Sequence, residues 1–160
     1  MQKGAIMSDC ENYRYQLWRI WDDSKPKLMF IMLNPSTADA QENDPTINRC
    51  TSFAQNWGYG GLYVGNIFAY RSTNPAVLKQ VTNPLGDDNY FHLLQMRKKC
   101  EIIVAAWGNN GPKLENLSLP EIETTELYCI DWTKLDRPKH PLYIKSGIVG
   151  PTPVCKYFKV

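Results

Sequence analysis

Leu28-Met29-Phe30-Ile31-Met32-Leu33-Asn34-Pro35-Ser36 is the stretch that decides the fold: six apolar residues in a row, ending on an amide and a proline. A strand buried on one face alternates apolar and polar residues, whereas an unbroken apolar run fits burial on both faces, as in a parallel sheet. The run is far short of the roughly 20 residues that a membrane helix requires. A core strand over residues 27–33 is therefore predicted, with Asn34 and Pro35 at its carboxyl end.

Working outward, residues 13–21 (Tyr-Arg-Tyr-Gln-Leu-Trp-Arg-Ile-Trp) are rich in aromatic and β-compatible types and read as an added N-terminal strand, with a turn over residues 22–26. Downstream, Asp44 suits a helix N-cap and Pro45 the first helical position. Ile47, Cys50, Ala54 and Trp57 recur at spacings of three and four, and Gly58 ends that helix. Residues 62–68 make a second core strand, and Asn74-Pro75 starts a short helix to about Val81. A longer helix is predicted from Asp87 to Lys99, closing on cations that suit a helix C-terminus. Residues 101–107 form a third core strand, a short helix follows Pro112, and residues 126–131 form a fourth strand.

Strands alternating with helices predict an α/β fold: a three-layer α/β/α sandwich around an open, mainly parallel, four-stranded central sheet. Ligands in such sheets sit beyond the carboxyl ends of the strands. That rule selects Asn34-Pro35-Ser36-Thr37, Phe68-Ala69-Tyr70-Arg71, Trp107-Gly108-Asn109 and Lys139-His140-Pro141-Leu142-Tyr143.

The chain has 160 residues, 18 basic and 16 acidic groups, and 43% apolar residues, which fits a single domain without internal repeats. Residues 1–133 carry 12 basic against 15 acidic groups, a balance of −3, while residues 134–160 carry six against one, a balance of +5. Such a basic segment suits an anionic partner such as a nucleic-acid backbone, or serves only as a solvated tail. The five cysteines are scattered without a Cys-x-x-Cys pair, so neither a disulfide framework nor a zinc site is expected, and they read as buried thiols. The N-terminus lacks a signal-peptide apolar region. A cytoplasmic protein is expected, without metal or cofactor, contact with a membrane or an obligate protein partner.

The selected loops hold no nucleophile elbow, Walker loop or Gly-x-Gly-x-x-Gly. They hold amide, imidazole, guanidinium and aromatic groups, which can grip a flat heterocycle by edge and face and position water. Leu33-Asn34-Pro35-Ser36 resembles the first motif of the uracil-DNA glycosylase superfamily, in the Asn-Pro form of the mismatch-specific uracil and thymine glycosylases. Pro45 to Tyr59 is similar to the helix after that motif. Tyr63-Val64-Gly65-Asn66-Ile67-Phe68-Ala69-Tyr70-Arg71 is similar to its second core strand, residues 101–108 to its third, and His140-Pro141 to its His-Pro motif. More narrowly, the pattern over about residues 10–145 resembles a bacterial and phage family known only as a domain of unknown function.

The resemblance implies a DNA or nucleotide N-glycosylase. Asn34 would position the attacking water and His140 would donate to the departing base. Pro35, Ser36, Asn66, Phe68, Tyr70 and Trp107 would hold the base or nucleotide, with Asn66 reading its edge. Arg49, Arg71 and Lys139 would meet phosphate, and Leu142 or Tyr143 would fill the gap left by a flipped base. Two departures stand out. The segment Asp39-Ala40-Gln41-Glu42-Asn43-Asp44 lacks the aromatic that stacks on the base, and the last motif reads His-Pro-Leu-Tyr without a small serine. Two further classes therefore stay open: a non-catalytic nucleotide or nucleic-acid binding module, and a nucleotide-modifying transferase. For single residues, Asn66 as a core amide and Trp107 as a core ring stay open too.

Overall fold

The computed structural model describes residues 1–123, 127–145 and the strand 155–157. It is a mixed α/β structure. The strands are β1 (Gln2–Met7), β2 (Arg14–Ile20), β3 (Lys27–Met32), β4 (Gly61–Asn66), β5 (Ile102–Ala105), β6 (Leu127–Cys129) and β7 (Cys155–Tyr157). The helices are α1 (Pro45–Asn56), α2 (Asn89–Arg97) and the single turn α3 (Pro120–Glu123).

The seven strands form one sheet in the order β1-β2-β4-β3-β5-β6-β7. β3 runs parallel to both β4 and β5, and β5 runs parallel to β6. The pairs β1–β2, β2–β4 and β6–β7 are antiparallel. The expected four-stranded, mainly parallel sheet is thus corrected to a seven-stranded mixed one. β1 escaped notice because Gln2–Met7 carries no clear alternation. It pairs all the same because Gly4 lies flat beneath Trp18, where a Cβ would sit 2.0 Å from the indole. β7 falls in the segment whose charge had been its only legible property.

The apolar run of β3 is buried on both faces, as its lack of alternation requires. Leu28, Phe30 and Met32 join one core with Ile47, Cys50, Phe53 and Ala54 of α1. Met29, Ile31 and Leu33 join a second core with Leu93 and Met96 of α2. Each such side chain contributes roughly 1.5–3 kcal/mol on burial, so the two faces together set the packing of both helices. The Asp44 carboxylate accepts from the Ile47 N–H at 2.9 Å as the N-cap of α1, and Gly58 takes φ +83° just beyond its end.

Other elements are shorter than predicted. The Asn74-Pro75 start gives a 3-10 turn over Pro75–Lys79, and a second 3-10 turn covers Leu114–Asn116. α2 begins at Asn89 rather than Asp87, and β4 and β5 stop at Asn66 and Ala105, where the chain turns into the loops of the site. Of the cysteines expected to be buried, Cys50 and Cys129 are; Cys100 is half-buried and Cys10 is exposed. Cys155 has its side chain outside the described residues, as do Lys156 and Lys159 of the basic segment. Among the described residues no helix is long and apolar enough to cross a membrane.

Candidate functional site

A cleft of about 810 Å³ opens beyond the carboxyl ends of the parallel strands, where ligands bind in sheets of this kind. Its walls come from the loops after β3, β4, β5 and β6 and from the first turn of α1. It brings together Asn34, Ser36, Trp107, Lys139, His140, Leu142 and Tyr143 of the residues singled out in the sequence.

Asn34 is held in one orientation. Its Nδ2 donates to the Ser72 carbonyl at 2.9 Å and to the Pro35 carbonyl at 3.1 Å. Two carbonyl acceptors settle which end of the amide is nitrogen, so the oxygen is the other end. That Oδ1 has no hydrogen-bond partner among the described residues. The Ser72 N–H returns a bond to the Pro35 carbonyl at 2.9 Å, so the loops after β3 and β4 are stitched together at the cleft.

His140 precedes a 3-10 turn, Pro141–Tyr143, and its Nδ1 accepts the Leu142 N–H at 3.2 Å. In the neutral ring the proton must then sit on Nε2, which has no partner among the described residues and is a donor. Burial lowers the imidazole pKa, opposed in part by the Asp44 charge, so the ring is neutral at pH 7. Gly108 adopts φ +76° opposite it, with the His140 Cβ 3.5 Å from where a side chain would begin.

The remaining predicted residues divide. Trp107 is buried with its Nε1 on the Pro112 carbonyl at 2.7 Å, so only part of its ring wall serves the cleft. Lys139 reaches Asp131 at 3.5 Å. Leu142 and Tyr143 stand at the rim, 46% and 73% exposed. Pro35 is buried behind the loop that it shapes. Phe68 lines a neighbouring cavity of about 570 Å³ that shares Leu33, Pro75, Asn109 and Asn110 with the cleft. Tyr70 packs edge-on against Tyr13. Arg49 stacks on Phe53 and donates to the Ile144 carbonyl at 2.9 Å, tying the His140 loop to α1. Arg71 donates to the carbonyls of Ser36 and Glu11. Neither of these two arginines lines the cleft.

Asn66 is 1% exposed, and among the described residues neither its Oδ1 nor its Nδ2 has a partner. It pairs in register with Met32, and Val64 two residues earlier packs in the α1 core, so Asn66 points to the same side of the sheet as the cleft-lining Met32 and Ile47. An amide buried unsatisfied costs on the order of 1–3 kcal/mol.

Several lining residues were missed, Asp44 and Arg14 among them. Asp44 was accounted for by capping, yet it also faces the cleft, and its second oxygen accepts the Ala38 N–H at 3.3 Å. Arg14 was counted only as part of a strand; its signal was a charge between two tyrosines at the start of that strand. The Asp39 carboxylate is occupied by the Gln41 and Glu42 N–H groups, and these bonds hold its carboxyl below the usual range. Among the described residues no cluster of three or more His, Cys, Asp or Glu is placed to hold a metal ion.

These features define a cleft-bearing α/β domain with polar groups gathered at the ends of parallel strands. A family model described as "Protein of unknown function (DUF1643)" matches residues 14–142, and the chain belongs to that family. No curated protein and no solved structure matches the chain.

Proposed function

We propose that the cleft binds a nucleobase or nucleotide and hydrolyses its N-glycosidic bond, and that the domain is a three-layer sandwich of the uracil-DNA glycosylase type centred on its four parallel strands. The observation that carries this reading is the Asn34 amide: its nitrogen is clamped on two carbonyls, which leaves its oxygen as an acceptor in the same cleft as the Nε2 donor of a neutral His140. Water held on Oδ1 attacks the sugar C1′ while the C1′–N bond breaks and its electron pair leaves on the base. The Nε2–H of His140 stabilises that developing negative charge, and the water's proton passes to the base through solvent. Asn34 supplies placement, which a dissociative reaction needs more than a strong base.

One observation favours a second reading. Both oxygens of Asp44, the carboxylate that lines the cleft, already accept backbone N–H groups, so each is engaged in holding the loop and the start of α1. A binding module with the same pocket and no turnover is the alternative. The test is incubation of wild type and Asn34→Ala with DNAs carrying uracil, mismatched thymine or hypermodified bases, and with free nucleotides. Abasic sites are revealed by alkali and free base by chromatography. Base release by wild type, falling at least about a hundredfold in Asn34→Ala, is the expected result. Tight binding with no release from any substrate would establish the binding module, and a new product without free base would point to group transfer.

A further inference from the structure

Arg14 is 2% exposed and lines the cleft, yet among the described residues it makes one side-chain hydrogen bond, from Nη1 to the Ala38 carbonyl at 2.8 Å. Its Nε is buried without a partner among the described residues. No carboxylate lies within 4 Å of it among the described residues. The charges around it are Asp44 and Asp39 on one side of the balance and Arg19 and Arg71 on the other, so three guanidinium groups, its own included, face two carboxylates. Burial lowers its pKa to about 10, which still leaves a cation at neutral pH. The unsatisfied Asn66 amide lies on the same side of the sheet. By contrast Arg19, fully buried in the same strand, places all its side-chain nitrogens on acceptors. A buried cation with unused donors is costly unless something completes it.

We propose that Arg14 is a specificity-determining residue whose guanidinium takes an anionic oxygen group, phosphate or carboxylate, carried into the cleft by the nucleotide or nucleobase that binds there. The proposal rests on the cleft being a nucleobase or nucleotide site, but not on hydrolysis. A backbone phosphate passing over the rim would meet Lys134 and Lys139 instead, because Arg14 is shielded from the surface. Only an anion on the part of the ligand that descends into the cleft reaches it.

The experiment is calorimetric titration of wild type and Arg14→Gln with two matched pairs: thymidine against thymidine 5′-monophosphate, and uracil against 5-carboxyuracil. In wild type at least one anionic member binds about tenfold or more tightly than its uncharged partner; which pair responds identifies phosphate or carboxylate. In Arg14→Gln, with native circular dichroism, the ratio of affinities within that pair falls to near one, whatever change the two members share. Equal binding within both pairs in wild type, or a preference that survives in folded Arg14→Gln, overturns the proposal. If Arg14→Gln does not fold, the slowly exchanging arginine Nε–H signals of wild type decide. One must shift with the anionic probe and stay with the uncharged one, and none shifting overturns the proposal. Because every readout is binding, it fails or stands separately from base release.

Discussion

The clamp on Asn34 makes a prediction that a simple comparison of basicity would get wrong. Asn34→Asp replaces a feeble base with a better one, but it also puts a carboxylate oxygen against the Ser72 and Pro35 carbonyls. Repulsion there favours the protonated acid, which alone can donate, so the carboxyl pKa rises. The clamp is then present below the raised pKa and lost as pH rises through it. Asn34→Asp is expected to hold its best activity at acidic pH and to fall by an order of magnitude or more towards neutrality, which a pH profile of base release checks. As lining residues of the cleft, Asn34 and His140 were legible in the sequence because both stand in loops beyond the carboxyl ends of core strands, where a parallel sheet binds ligands. Arg14 was not, because strand periodicity assigns residues to faces and says nothing of which face opens on a cavity.

At the scale of elements, Asp44 joins two of them. One carboxylate oxygen caps α1 through Ile47 and the other holds the Ala38 N–H of the preceding loop. Asp44→Ala is expected to cost about 1–2 kcal/mol from the lost cap, and more where the buried Ala38 N–H is left without its partner. Urea unfolding checks this, and Asp44→Asn, which keeps one acceptor for the cap, is expected to recover about half. Capping and apolar spacing were the signals that placed α1 to the residue. They missed Phe53, which is buried beside the predicted stripe. The polar loop between β3 and α1 was opaque for another reason: Arg19 organises it from a distant strand, donating to the Asp39 and Glu42 carbonyls and the Asn43 amide oxygen. No local pattern encodes a contact between residues so far apart in the chain.

For the whole molecule, the parallel strands were readable from apolar runs, because burial on both faces leaves no room for alternation. Antiparallel β2 was read from its aromatic and β-compatible residues, but the edges β1 and β7 were not, since an edge strand has one ladder and little core to declare it. Stability should also depend on pH in a direction the two histidines fix. The Nδ1 of His92 accepts from Gln16 at 2.8 Å and that of His140 from Leu142, and burial lowers both imidazoles below the ordinary value of 6.5. The unfolded chain therefore takes up protons first, so their contribution is complete above about pH 6.5 and is lost as pH falls through the lowered values. Denaturant midpoints are expected to drop between pH 7.5 and 5, and to drop less in His92→Gln with His140→Gln.

The side chains that fix the cleft loops nearly all end on main-chain carbonyls: Asn34 on Pro35 and Ser72, Arg14 on Ala38, Arg49 on Ile144, Arg71 on Ser36 and Glu11, and Arg137 on Gly111. A carbonyl belongs to every residue type, so the accepting positions are free to change identity while the donors hold the geometry. Sequence drift, and with it new ligand preference, can proceed along one side of each tether without slackening it.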